Sequence, residues 1–139
     1  MLKNLYRFLS PKFQNLFLDY KVDLKPRYGH GKPPHKDLYA IINAKREDYK
    51  SLISRALFYK ENIWTIKDSK AENDHIQPVW NNGFLPGLDI IGIYIILAEF
   101  KPKKYIEIGS GNSTKVAYKA KTDLGLDTQI ISIDPMPRA

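Results

Sequence analysis

Apolar residues recur along this chain first at helical spacing and later in short uninterrupted runs. Leu2, Leu5, Tyr6 and Leu9 fall on one helical face before Ser10-Pro11, and Phe13, Leu16, Phe17 and Tyr20 repeat the spacing after it. Two short amphipathic helices are predicted. Across residues 21–36, Pro26, Gly29, Gly31, Pro33 and Pro34 break any regular ladder, so a loop is expected there. From Asp37 onward, Leu38, Ile41, Ile42, Tyr49, Leu52, Ile53, Ala56 and Leu57 form a stripe, with Lys45, Arg46, Glu47 and Lys50 largely opposite. That pattern predicts one long helix ending near Lys60. Residues 62–66 read as a short strand, and residues 68–78 as polar and irregular.

The composition then changes. Residues 80–89 are rich in turn formers and lead into the apolar segment 90–100. Isoleucine favours a strand there, but a length of about 11 to 13 residues and the preceding Pro-Gly favour a buried helix, which is the expectation adopted. Lys101-Pro102-Lys103 ends it. Lys104-Tyr105-Ile106-Glu107-Ile108 is a predicted strand, residues 115–124 a helix with Val116, Ala117, Ala120 and Leu124 on one face, and Gly125 its stop. Thr128-Gln129-Ile130-Ile131-Ser132-Ile133 is a second strand, closing at Asp134. Strand, glycine loop, helix and strand predict a right-handed parallel βαβ unit.

Charge and composition narrow the functional classes. The 139 residues hold 22 Lys plus Arg against 15 Asp plus Glu, a formal charge of +7, and no cysteine. Disulfides, thiolate metal sites and cysteine nucleophiles are thereby excluded. Residues 1–60 carry 13 basic and 5 acidic residues, and residues 61–139 carry 9 and 10, so the basic excess is N-terminal. Such a surface suits an anionic partner, or simply solvation. The N-terminal helices can lie weakly on an anionic membrane, or fold back as a flap. The longest apolar run, residues 90–98, is nine residues against the roughly 18 a membrane span needs, and no signal-peptide cleavage pattern follows the N-terminus. The expected location is therefore the cytoplasm. His30, His35 and His75 have no metal-ligand spacing, and no metal site is expected. Ser110 reads as a small loop residue, not a nucleophile.

The chemistry concentrates in Gly109-Ser110-Gly111-Asn112-Ser113-Thr114. Glycines between a strand and a helix let a ligand approach the backbone, and the helix N-terminus aims free N–H groups at it. Asn112 or Ser113 can cap that helix. Asp134, 25 residues after Gly109 and at the end of the second strand, can accept hydrogen bonds from ribose hydroxyls. Two cofactor classes share this geometry. A dinucleotide fingerprint wants Gly or Ala where this chain has Thr114, and Glu107, two residues before the first glycine, would repel a pyrophosphate. The same carboxylate can serve the amino acid end of S-adenosylmethionine, directly or through water. Trp80, Asn81 and Asn82 form either a lid over the cofactor or a turn that ties the N-terminal layer to the core.

On these residues the chain resembles the class I S-adenosylmethionine-dependent methyltransferases. Residues 105–114 match the first cofactor motif of that family and Ile131-Ser132-Ile133-Asp134-Pro135 the second. Residues 80–89 and 28–35 are similar to bacterial members known only by their assignment to it. The resemblance implies an α/β fold: a basic, mainly helical extension over residues 1–79, then over residues 80–139 the start of a Rossmann-like sheet, cut short after two strands. It implies an enzyme that binds S-adenosylmethionine through Glu107, Gly109, Ser110, Gly111, Asn112, Ser113 and Asp134. Glu107 and the loop would contact the methionine part and Asp134 the ribose. The acceptor is not identifiable, a small molecule or glycan being expected over nucleic acid, and no catalytic base can be named. With two strands only, the isolated chain is expected to be inactive, marginally stable and prone to oligomerise. A NAD-binding Rossmann protein and a non-catalytic basic interaction module stay open as alternatives.

Overall fold

The computed structural model describes residues 2–15, 19–22 and 25–137. The chain forms two compact units that divide between Ile42 and Asn43. In the first, α1 (Leu2–Leu9) is followed by a turn in which the Phe13 amide donates to the Ser10 carbonyl at 3.1 Å. The second predicted amphipathic helix does not begin at Phe13, because Pro11 and the Ser10 turn occupy that stretch; residues 16–18 lie outside the described residues. The loop expected after Lys21 is present where described, with Gly29 and Gly31 at positive φ. It leads to α2 (Lys36–Asn43), whose first turn is capped by His35: its Nδ1 accepts the Leu38 amide at 3.4 Å, and its ring packs on Tyr28 at 4.7 Å.

The long helix expected over residues 37–60 is interrupted. Ala44 and Lys45 form a turn after α2, α3 (Arg46–Arg55) follows, and Ala56–Tyr59 tightens into a 3₁₀ turn that runs on into α4 (Lys60–Trp64). Residues 62–66 are therefore not a strand. Their β-branched residues suggested one, yet Ala56, Tyr59, Ile63 and Ile66 recur at helical intervals and all meet the core, so helical packing overrides local propensity.

Helix α5 (Gly87–Phe100) is the centre of the second unit. Pro86 precedes it, Asp89 complements its N-terminal dipole, and Lys101 ends it in a left-handed conformation at φ 44°. It is apolar nearly all round and buries Ile90, Tyr94, Ile95, Leu97 and Ala98, while Leu88, Ile96 and Phe100 stay exposed. Full burial of each large side chain is worth about 1.5–3 kcal/mol. Helix α6 (Asn112–Leu124) packs on α5 through Val116, Ala117 and Ala120, small residues that let the two backbones approach closely. Two polar ties fix α5: the Tyr94 hydroxyl donates to Asp123 at 3.0 Å, and Glu99 accepts from Tyr59 at 2.9 Å and from Arg55.

Strands β1 (Lys104–Ile108) and β2 (Gln129–Ile133) pair in parallel, with Glu107 opposite Ser132, and α6 is the crossover between them. The α/β expectation holds at this level, as a two-stranded parallel sheet against helices. Thr128, buried, donates its hydroxyl to the Pro102 carbonyl at 2.6 Å and aligns the two strand starts. Tyr105 and Ile130 face the helical core, and Glu107 and Ser132 continue that face toward the loop. The alternate residues Ile106, Ile108 and Ile133 are exposed. Among the described residues no helix is long and apolar enough to cross a membrane.

Candidate functional site at the glycine loop

The parallel pair delivers the ends of β1 and β2 to the N-terminus of α6, so every residue singled out in the loop and at its flanks converges there. Gly109 sits at φ 98°, a conformation that an L side chain rarely adopts, and its amide donates to the Ile133 carbonyl at 2.8 Å. The loop thereby turns away from β1 without losing contact with β2. Ser110 then reaches Asp134: its amide and hydroxyl donate to the same carboxylate oxygen at 2.7 and 2.9 Å. The other Asp134 oxygen accepts the Met136 amide at 2.7 Å.

Gly111 is the N-cap of α6 in an extended conformation, so its backbone does not demand glycine. A Cβ added there would meet nothing within 4 Å. Gly111 is among the residues lining a cavity of about 400 Å³, with Ile108, the rest of the loop from Gly109 to Ser113, Lys115, Phe84 and Leu85. That volume lies within the range of about 300–1,000 Å³ of small-molecule sites.

The cap of α6 differs from the expectation that Asn112 or Ser113 supplies it. The helix starts at Asn112, ahead of the predicted residue 115, with Gly111 as its N-cap, and Thr114 reaches back so that its hydroxyl accepts the Gly111 amide at 3.0 Å. Ser113 instead donates to Glu107 at 2.9 Å. Glu107 is the hub behind the loop. It also accepts from Ser132 at 2.8 Å, from Tyr105 at 3.2 Å and from Thr114. Burial, and then the Glu107 carboxylate beside it, push the Tyr105 hydroxyl up to about 12.

The predicted residues thus separate into two layers. Gly109, Ser110, Gly111, Asn112 and Ser113 line the cavity, whereas Glu107 and Asp134 stand behind it, each bonded to the loop. Phe84, Leu85 and Lys115 are cavity residues that sequence reasoning missed. The Asn-Asn-Gly turn carried the signal, because positive φ at Asn81 and Gly83 reverses the chain and presents Phe84 outward, 80% exposed. Asn82 builds that turn: its amide group donates to the Val79 and Leu85 carbonyls at 3.0 and 3.1 Å, and its oxygen accepts the Leu85 amide at 2.7 Å. Trp80 packs against the core and Asn81 donates to Asp68, so of the two roles open to residues 80–82, the structure uses them in a turn. Lys115 reaches across to the His75 carbonyl. Among the described residues no three His, Asp or Glu side chains are grouped to hold a metal ion.

In comparisons with known proteins, the chain matches no protein family, no curated protein and no solved structure.

Proposed function

We propose that the glycine loop is the cofactor site of a Rossmann-like S-adenosylmethionine-dependent methyltransferase. The observation that carries this reading is the bonding of Thr114. A dinucleotide loop needs Gly or Ala at that position so that helix and strand can pack closely. Here a hydroxyl stands in its place and joins Glu107 to the Gly111 amide. Support also comes from the side-chain-free floor at Gly111, from the cavity volume, and from Asp134 at the end of β2.

In such a site the bound methyl donor supplies an activated methyl on a sulfonium, and the protein's contribution is alignment. Ser110, whose amide and hydroxyl both donate to Asp134, would hold the shape of the loop, and the Asp134 carboxylate suits ribose hydroxyls. Glu107 would act chiefly as a positioning residue, since its oxygens already receive hydroxyl donors from both α6 and β2. The α6 N-terminus and Lys115 favour the carboxylate end of a methionine moiety. Phe84 offers an apolar face at the cavity wall.

One observation favours a dinucleotide instead. Glu107 does not line the cavity and Lys115 does, so the wall is less hostile to a pyrophosphate than the sequence alone implied. Calorimetric titration of the chain with S-adenosylmethionine and with NAD separates the two. S-adenosylmethionine is expected to bind, with Gly111→Val and Asp134→Ala each weakening it at least about tenfold, roughly 1.4 kcal/mol. Tighter binding of NAD, or no S-adenosylmethionine binding by a chain with an intact circular dichroism spectrum, overturns the proposal.

A further inference from the structure

Helix α1 has no buried residue, and apart from Phe8, which lies beside Asn4, its side chains divide by face. Leu2, Leu5, Tyr6 and Leu9 share a face spanning about 100° of arc, and Lys3, Asn4 and Arg7 occupy the other side. Those four apolar side chains are between 54% and 84% exposed. The apolar surface continues past the helix: Phe13, itself exposed, meets Tyr6 edge to face at 6.2 Å, and the Arg7 guanidinium lies 6.0 Å from the same ring. Asn15 secures the turn by donating to the Phe8 carbonyl at 3.1 Å.

The charged side chains of the first eighteen residues are all of one sign. Lys3, Arg7 and Lys12 fall within the first twelve residues, and no acidic residue precedes Asp19. Within the first compact unit no described residue is buried, so the apolar face finds no cover among the described residues of that unit. A groove on a protein partner would satisfy the apolar side chains. It would not by itself answer three cations placed beside them. A bilayer surface with anionic headgroups answers both, because apolar side chains enter the acyl boundary while Lys and Arg stay at the headgroups. Neither signal suffices alone: an eight-residue helix buries little, and screened surface charge is weak, but stable peripheral binding arises from the two combined.

We propose that α1 and the turn after it form an interfacial anchor for anionic membranes, with Leu2, Leu5, Tyr6, Leu9 and Phe13 inserted and Lys3, Arg7 and Lys12 contacting the headgroups. The test is sedimentation of the full chain with phosphatidylcholine vesicles and with vesicles of equal parts phosphatidylcholine and phosphatidylglycerol. Binding is expected to the mixed vesicles only, with release at high salt. The triple variant Lys3→Gln, Arg7→Gln, Lys12→Gln should lower partitioning on the order of 100-fold. Leu5→Glu with Leu9→Glu should abolish it. Because α1 buries nothing, both variants are expected to keep the wild-type unfolding midpoint, and each is checked for that first. Equal binding to neutral vesicles, no binding to either, or binding that survives the leucine substitutions overturns the proposal. So does concentration-dependent self-association lost in Leu5→Glu without any vesicle binding, which would make a second copy the occupant.

Discussion

Glu107 shows how one side chain links three elements. It stands on β1, two of its donors belong to the first turn of α6, and another comes from β2. An ionised carboxylate offers about four lone-pair sites, and the four hydroxyls of Tyr105, Ser113, Thr114 and Ser132 fill them. Tyr105 reports on this cluster. Its hydroxyl holds its proton to about 12 against an ordinary 10.0, through burial first and the neighbouring carboxylate second. Tyr94 is shifted in the same direction, again by burial first and then by Asp123. The folded chain therefore keeps these protons at a pH where the unfolded chain has lost them. Their contribution to stability is complete below pH 10.0 and declines as pH rises through about 12. Ultraviolet titration of tyrosinate should show a late-ionising group, and denaturant midpoints should fall over that window. In Glu107→Ala the Tyr105 step should move to lower pH while the Tyr94 step stays. A single tyrosine titration at the ordinary value in the native chain would refute the cluster.

The glycine loop tests whether its two glycines serve different ends. Gly109 occupies φ 98°, so Gly109→Ala carries backbone strain of about 1–3 kcal/mol regardless of available space. Gly111 is extended with open space beside it, so Gly111→Ala should leave stability within about 0.5 kcal/mol. Urea denaturation separates them: a lower midpoint for Gly109→Ala beside a wild-type midpoint for Gly111→Ala is the expected pair. Equal losses would mean that both glycines serve the backbone alone. The loop, its flanking strands and α6 were legible because strand length, positive-φ glycine and helix stop all act within a few residues. Ile63 and Ile66 were not, since β-branched residues read as strand locally and only the distant partners Ile90 and Tyr94 make their helical spacing the better solution. The break at Ala44 and Lys45 carried no Gly or Pro to announce it. Capping by Thr114 was hidden because the helix starts at Asn112 and not at residue 115, which puts Thr114 inside the first turn.

Across the whole chain, apolar burial is distributed very unevenly. The core cluster draws on Ile63, Ile66, Ile90, Tyr94, Leu97, Val116, Ala117 and Ala120, all in the second unit, while the described residues of the first contribute none. Cooperative protection of backbone amides depends on that burial, because a helix without packed side chains opens at little cost. Helix α1 has eight residues, below the roughly 12–15 at which an isolated helix becomes even marginal in water. The amides of α5, α6 and β1 should therefore exchange only through unfolding of the second unit, and those of α1 and α2 several orders of magnitude faster. Hydrogen–deuterium exchange read by mass spectrometry resolves these segments directly. Addition of mixed anionic vesicles should slow exchange in α1 and leave α5 unchanged, since the inserted face and the core are different surfaces. Exchange in α1 as slow as in α5 without vesicles would show that its apolar face is already covered, and would remove the physical basis for placing it in a membrane.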